Sequence, residues 1–503
     1  MSFSRTFPLK QPLRKLQPHV LVAVVALMLA FAFLGARGIW DPDEGRYTNV
    51  GLVMLDSGDW LNPMRNHETG HWTKPPMTYW AIAASVGTFG RNEWAARLPS
   101  ALSYLACVWL VWLIARRLVP GEEPMAALAF ATMLLPFGAS QFISTDFLLA
   151  ALQALAVWAY IESRAQSSQS GRWLLLAGAA FGMAFLTKGP PGLLPVLVIL
   201  AHRTLVPPRE SKPLHVLGAI AVFVVVAAPW FVAVIHAQPD LLGYFLGEEV
   251  VDRFASDDFN RNGQWYGWIV VYLPAIVLGT MPWTRSALRW ICGLPREVMS
   301  WRDHSRRKEA EADVLLAAWL ILPLVIFCVA RSRMPLYVLP LFVPIALIVA
   351  RWRARSNLPI PSLRMLSIWV VVLIGLKFSS SLWSTHKDAS EWAKAIEARV
   401  PSPPSEVVFV EDMARYGLNL YLSAQVEKVS LADSSDGPFN PQFDSTFLSE
   451  LHERERDVLY VAKKGRWTEV ERVAKEGGFS AVRVGSPYRG RIFFSVTHES
   501  DGG

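Results

Sequence analysis

The sequence is short of what a water-soluble or secreted domain uses to hold itself together. Only three cysteines occur in 503 residues. Cys107, Cys292 and Cys328 lie in or beside apolar runs with no ligand spacing between them, which excludes a disulfide framework and a cysteine metal site. Charge is scarce as well: 18% of residues are Asp, Glu, Lys or Arg, against 52% hydrophobic. With a mean hydropathy of +0.28, the chain is too apolar for a soluble protein of this length and belongs in a membrane. No internal repeat or inverted symmetry is visible, which counts against a transporter built from repeats.

The pI near 9.3 does not point to a nucleic-acid partner. Lys and Arg cluster between apolar runs, as the positive-inside rule expects, and form no binding stripe. Residues 1–19 carry Arg5, Lys10, Arg14 and Lys15, and the apolar run that follows ends in Gly-Ala-Arg-Gly-Ile-Trp without a small-residue cleavage site. This reads as an uncleaved signal anchor with a cytoplasmic, basic N-terminus.

Apolar runs that can cross about 30 Å of hydrocarbon recur at 20–38, 98–115, 124–142, 147–163, 173–187, 190–206, 214–236, 266–284, 313–330, 335–350 and 364–382. They predict a polytopic α-helical membrane protein with about eleven transmembrane helices over residues 20–384. The run 75–90 is short and opens with Pro75-Pro76, so it is read as re-entrant or interfacial within a first outer loop, 39–97. Counting it as a span would reverse every later loop. Left out, it places Arg116-Arg117, Arg164, Arg172 and the basic stretches 203–212, 285–308 and 351–355 on the cytoplasmic side. The same choice puts Asp43, Lys74, Asp146, Lys188, Glu249, Arg253 and Arg331 together on the outside.

Residues 385–503 change in character, with helix-like stretches at 389–399, 414–422 and 467–476 and short apolar strands at 407–410, 458–461 and 481–484. They predict a small C-terminal α/β domain outside the membrane, in the periplasm.

Three acids follow the first span in Trp40-Asp41-Pro42-Asp43-Glu44-Gly45-Arg46-Tyr47. A plain explanation is that they start a surface helix running towards Leu55, since Asp and Glu favour a first turn. The chemical alternative is a carboxylate at the membrane surface that orients an acceptor or takes its proton, and Asp43 is the candidate. Lys74, ahead of Pro75-Pro76, suits a phosphate partner, although lysines that anchor segment ends at the interface are common. Asp146 sits in Ser144-Thr145-Asp146 at the junction of two spans, where a helix cap is the simpler role. Lys188 repeats the lysine-before-proline arrangement, and Glu248-Glu249 with Asp252-Arg253 adds charge on the same side. Arg331 and Arg333, with Tyr337 close behind, break the positive-inside bias. A polyprenyl phosphate or ordinary anionic lipid headgroups would pair with them.

These motifs resemble, in order, those of the aminoarabinose transferases that modify lipid A and of the wider protein O-mannosyltransferase-like GT-C glycosyltransferases. The carriers are Asp43-Glu44-Gly45-Arg46-Tyr47, Ser57-Gly58-Asp59-Trp60, Lys74-Pro75-Pro76 with Tyr79-Trp80, Ala96-Arg97-Leu98, Thr145-Asp146, Thr187-Lys188-Gly189, Glu249 with Arg253-Phe254, Pro282-Trp283 and Pro335-Leu336-Tyr337. The resemblance implies a GT-C fold and transfer of a sugar from a polyprenyl-phosphate donor to a lipid or glycan acceptor at the outer face of the inner membrane. It also implies Asp43 and Asp146 near the reacting centre, Lys74, Arg253, Arg331, Arg333 and Tyr337 on the donor phosphate, and Glu44, Arg46, Tyr47, Lys188 and Glu249 in support. Two departures stand out: the family's Glu before the lysine is Thr73 here, and its His after the later Glu is Val250. Both positions are associated there with zinc, so no metal or other cofactor is expected, with His67, Glu68 and His71 as the only substitute ligands nearby. The rival readings are a flippase for a lipid-linked saccharide and a transferase acting on protein or O-antigen.

Overall fold

A computed structural model describes residues 17–207, 213–252, 261–433, 437–453, 455 and 457–498. Every apolar run read from the sequence carries helix. Among the described residues, seven helices are long and apolar enough to cross a membrane: Glu93–Leu118, Thr145–Ala165, Ser170–Lys188, Pro213–Ala237, Glu311–Val329, Pro335–Arg355 and Leu363–Ser381. Gly267–Gly279 and Thr284–Ser300 form a further pair bent by 118°, and Pro18–Phe31 and Pro190–Leu205 are shorter apolar helices. Residues 124–142, expected as one run, split into Glu123–Thr132 and Leu134–Ala139. Pro136 supplies no N–H to carry the first helix through the break.

The bundle is graded from centre to lipid. Thr145–Ala165 has 83% of its apolar window buried, whereas Pro213–Ala237 has 17% and turns most of its surface outward. Small residues let these helices approach closely without a hydrophobic drive between them. A Cβ on Gly178 would lie 2.1 Å from the carbonyl oxygen of Ala219 on the neighbouring helix.

Between the first span and Glu93–Leu118, the chain forms Asp43–Ser57 and Met77–Phe89. The second of these covers the run that was read as interfacial. Its 13 residues extend about 20 Å, too little to cross the hydrocarbon. It buries Tyr79, Ile82, Ala83 and Val86 against protein.

After residue 388 a sheet domain begins. Its strands are β1 (Glu406–Val410), β2 (Gln425–Ser430), β3 (Ser445–Thr446), β4 (Val458–Lys463), β5 (Phe479–Arg483) and β6 (Arg491–His498), in the order β3-β2-β1-β4-β6-β5. Strands β3, β2, β1 and β4 run parallel, while β6 is antiparallel to both β4 and β5. Alternation gives two apolar faces. Val407, Phe409 and Val461 pack with Trp392 of the Ala389–Glu397 helix; Val408, Val410 and Tyr460 pack with Phe447 and Trp467. The domain rests on the first outer loop: Ala389 N–H donates to the Ile39 carbonyl at 2.9 Å, and Arg65 pairs with Asp444 at 2.6 Å.

Candidate active site

The Asp-Glu-Gly stretch opens the Asp43–Ser57 helix, so the simple prediction of a helix start is correct, yet the two acids do different things. Glu44 is buried between two guanidinium groups, at 2.5 Å from Arg37 and 3.2 Å from Arg97. It also accepts the Trp40 and Ile143 N–H groups. Burial by itself would raise its pKa, but Arg37 and Arg97 outweigh that and hold it down at about 2. Glu44 therefore ties the end of the first span to Glu93–Leu118 and to the loop before Asp146. Arg97 reinforces the joint by donating to the Arg37 and Gly38 carbonyls at 2.7 Å.

Gly45 has no room for a side chain. A Cβ there would stand 1.8 Å from Asp41 Oδ1 and 2.6 Å from the Gly417 nitrogen of the sheet domain. Asp41 is fully buried and accepts the Gly417 N–H at 3.2 Å. Burial pushes its carboxyl up to about 8, and the Gly417 bond and Arg415 offset this only in part.

Asp43, by contrast, faces outward with 62% of its side chain exposed and meets Arg46 at 2.6 Å. The next residue, Tyr47, turns inward and stacks on Tyr79 with ring centroids 5.8 Å apart. Burial raises the Tyr47 hydroxyl pKa, and the charges that act on it belong to Arg46, Asp43, Asp146 and Tyr337. Tyr79 is raised in the same way and feels Tyr47, Arg46 and Glu249. The two phenols thus stand where the outer loop, two spans and the later loop meet.

Asp146 lies in the first turn of Thr145–Ala165, but the cap is Ser144, whose Oγ accepts the Asp146 N–H. The Asp146 carboxylate is left for Lys188, with which it forms a close, buried ion pair. Lys188 Nζ also sits 4.3 Å from the centroid of the Tyr337 ring. Lys74 Nζ lies 3.3 Å from Glu249, and the Tyr244 hydroxyl donates to the same carboxylate at 3.2 Å.

Arg333 has another job. It is buried and donates to the carbonyls of Asn262 (2.7 Å), Gln264 (2.8 Å) and Cys328 (2.9 Å), stapling two segments together. Those bonds use Nη1 and Nη2 of the guanidinium group, and Nε is buried without a hydrogen-bond partner. Arg331 is exposed. Arg253 lies outside the described residues. His67 and Glu68 are exposed while His71 is buried and bonded to Thr73 at 2.9 Å, so these three do not form a ligand set.

The sequence reading gave no role to Arg37, counted Asp41 only among three acids that start a helix, and used Tyr79 and Arg97 only as parts of motifs. The available signal was an arginine, Arg97, at the start of an apolar run, close in sequence to neither acid.

Residues 73–232 match the family model described as dolichyl-phosphate-mannose-protein mannosyltransferase. An undecaprenyl phosphate-aminoarabinose arabinosyl transferase of Pseudomonas fluorescens is 33% identical over 360 residues, 69% of this chain and 62% of that protein. The corresponding enzyme of Edwardsiella ictaluri is 30% identical over 354 residues, 68% of this chain and 60% of that one. This chain is homologous to these transferases. It spans about three-fifths of their length. Among solved structures, ArnT from Cupriavidus metallidurans bound to undecaprenyl phosphate aligns with a TM-score of 0.74 at 21% identity, over 95% of this chain and 97% of ArnT. An archaeal oligosaccharyltransferase, AglB from Archaeoglobus fulgidus, aligns at 0.53 and 12% identity over 95% of this chain and 74% of its own. The chain has the GT-C fold.

In this aminoarabinose-transferase relative, the residues at the family's zinc position do not fit zinc. Thr73 is engaged by His71, Val250 has no donor atom, and Glu249 is held by Lys74 and Tyr244.

Proposed function

We propose that the chain is an inner-membrane glycosyltransferase that moves a sugar from an undecaprenyl-phosphate carrier to an envelope acceptor such as lipid A at the periplasmic face. The observations that carry this are the buried Asp146–Lys188 pair with Tyr337 against Lys188, and Lys74 held by Glu249, in a GT-C fold. The names of the homologues support the donor class and lipid A chemistry.

The topology that goes with this reading has about eleven spans, a cytoplasmic N-terminus and residues 385–503 in the periplasm. Arg116, Arg117, Arg164, Arg353 and Arg355 then mark the cytoplasmic helix ends, opposite the candidate site.

In the reaction, the acceptor oxygen attacks the anomeric carbon while the bond from that carbon to the carrier phosphate breaks, its electron pair leaving on the phosphate oxygen. Lys74, Arg331 and Arg253 balance that charge, and Arg333 holds the loop that presents Arg331. Lys188 orients Asp146 and Tyr337. Asp43, the exposed acid, accepts the proton of a hydroxyl acceptor; for a phosphate acceptor it steadies positive charge on the sugar. A flippase would have no use for a carboxylate at that point.

Purified protein in detergent, given undecaprenyl-phosphate aminoarabinose and lipid A, should release undecaprenyl phosphate as the acceptor gains mass. An intact donor after prolonged incubation with folded protein would sink the proposal.

A further inference from the structure

The sheet domain gathers acids far from the residues discussed so far. Glu406 opens β1, and Glu427 lies on β2 opposite Val408, so both point to the face that holds Val408, Val410 and Tyr460. Glu450 joins them from the Phe447–Glu453 helix, which buries Phe447, Glu450 and Leu451 on one side. One carboxylate oxygen from each of the three lies within 4.8 Å of the other two. Oxygens bound to one calcium ion at about 2.3–2.6 Å are separated by no more than about 5 Å, so the spacing is that of a shared cation.

A second observation points the same way. Glu450 is only 2% exposed, and its Oε2 is buried with no hydrogen-bond partner. An orphaned carboxylate oxygen in a protein interior is costly and calls for a ligand. The charges around the trio do not supply one. Those that act on it come from Glu453, Glu455, Asp444 and Glu68, all of one sign, and Asp444 is itself engaged with Arg65. Burial is the first cause that pushes all three carboxyls up; a bond to Glu455 adds to it at Glu406, Glu450 at Glu427 and Glu453 at Glu450, while a hydrogen bond shared by Glu427 and Glu450 offsets the rise at Glu450 only in part.

We infer that Glu406, Glu427 and Glu450 bind a hard divalent cation, calcium or magnesium, within the sheet domain. The donor set is all carboxyl oxygen, which suits these ions and not a softer metal such as zinc, and the ion would bind by displacing the protons that burial keeps on these groups. The cation would join β1, β2 and the Phe447–Glu453 helix. That is also where the first outer loop docks, through His67 N–H to Gln425 Oε1 at 3.2 Å and Arg65 to Asp444. The inference stands apart from the transferase reading and does not depend on it.

The test uses the full-length chain, purified in detergent, stripped with a chelator and titrated with calcium chloride, then separately with magnesium chloride, by calorimetry. One ion should bind per chain with an affinity at or below about 1 mM, the range of extracellular calcium modules, and should raise the thermal midpoint. Glu427→Gln and Glu450→Gln keep the side-chain volume and should each weaken binding at least tenfold. As a check free of any carboxylate change, terbium luminescence at this site should drop in Tyr460→Phe, whose ring faces the trio. Absence of saturable binding of either ion to the folded wild-type chain up to about 10 mM would overturn the inference. So would binding that survives unchanged in both glutamine variants.

Discussion

Arg37 and Glu44 meet at 2.5 Å with side chains 7% and 3% exposed, and Arg97 closes on the same carboxylate from the other side. Removing the shared acid strands two buried guanidinium groups. Glu44→Ala should therefore cost about 3–5 kcal/mol of stability, the range seen when one partner of a buried pair is lost. The measurement is the yield and thermal midpoint of detergent-purified protein. A variant as stable as wild type would refute the structural role.

Asp43, one residue earlier, should behave in the opposite way. It is exposed and pairs with Arg46 in its own helix turn. Asp43→Asn should leave the thermal midpoint unchanged and lower transfer by roughly 10²–10⁴-fold, as expected for a positioned acid or base. Turnover within a few-fold of wild type would remove Asp43 from the chemistry.

Two arginines separated by one residue should also part company. Arg333→Ala removes three buried bonds to carbonyls and should destabilise the protein by roughly 2–4 kcal/mol, with the donor KM of the surviving fraction unchanged. Arg331→Ala should leave stability near wild type and raise the donor KM by about tenfold. Donor titrations in the purified assay distinguish the two patterns.

Asp41 makes a prediction about pH. Its folded carboxyl is raised from 3.8 to about 8, so through that interval the folded chain holds a proton that the unfolded chain releases. The stability that neutral Asp41 contributes is complete below pH 3.8 and declines as pH rises, being lost above about 8. Glu44 has the opposite sign, but its change lies below about pH 4.5 and leaves the neutral range flat. Thermal midpoints should fall between pH 6 and pH 9, and Asp41→Asn should flatten part of that slope. Parallel slopes in the two proteins would exclude Asp41 as a cause.

Much of this arrangement is legible in the sequence because membrane helices announce themselves by composition. Hydrophobic runs fix where helices lie, and the charges left between them are few enough to be noticed. Asp43, Lys74, Asp146 and Lys188 stand out that way, and two of them, Asp146 and Lys188, are paired in the fold. Arg333 shows the limit, since a buried arginine bonded to carbonyls and an exposed one two residues earlier look identical in one dimension. The sheet domain was harder to read. β1 and β4 are plain apolar runs, but β2 reads Gln-Val-Glu-Lys-Val-Ser and was missed, because its glutamate faces inward to meet Glu406 and Glu450. Polar residues on a buried face defeat a pattern based on hydrophobicity.

The tight fit around Gly45 has a consequence for how such chains diverge. Its Cα is pressed between Asp41 and the backbone of residue 417, more than 350 positions downstream. Neither side can be redesigned alone: a larger residue at 45 demands a retreat of the 417 turn, and an insertion in that turn demands a new partner for Asp41. A tail exchanged between two homologues should be accepted only when it brings its own matching turn, and chimaeras joined between residues 388 and 417 will reveal whether the swap was compatible before any sugar is transferred.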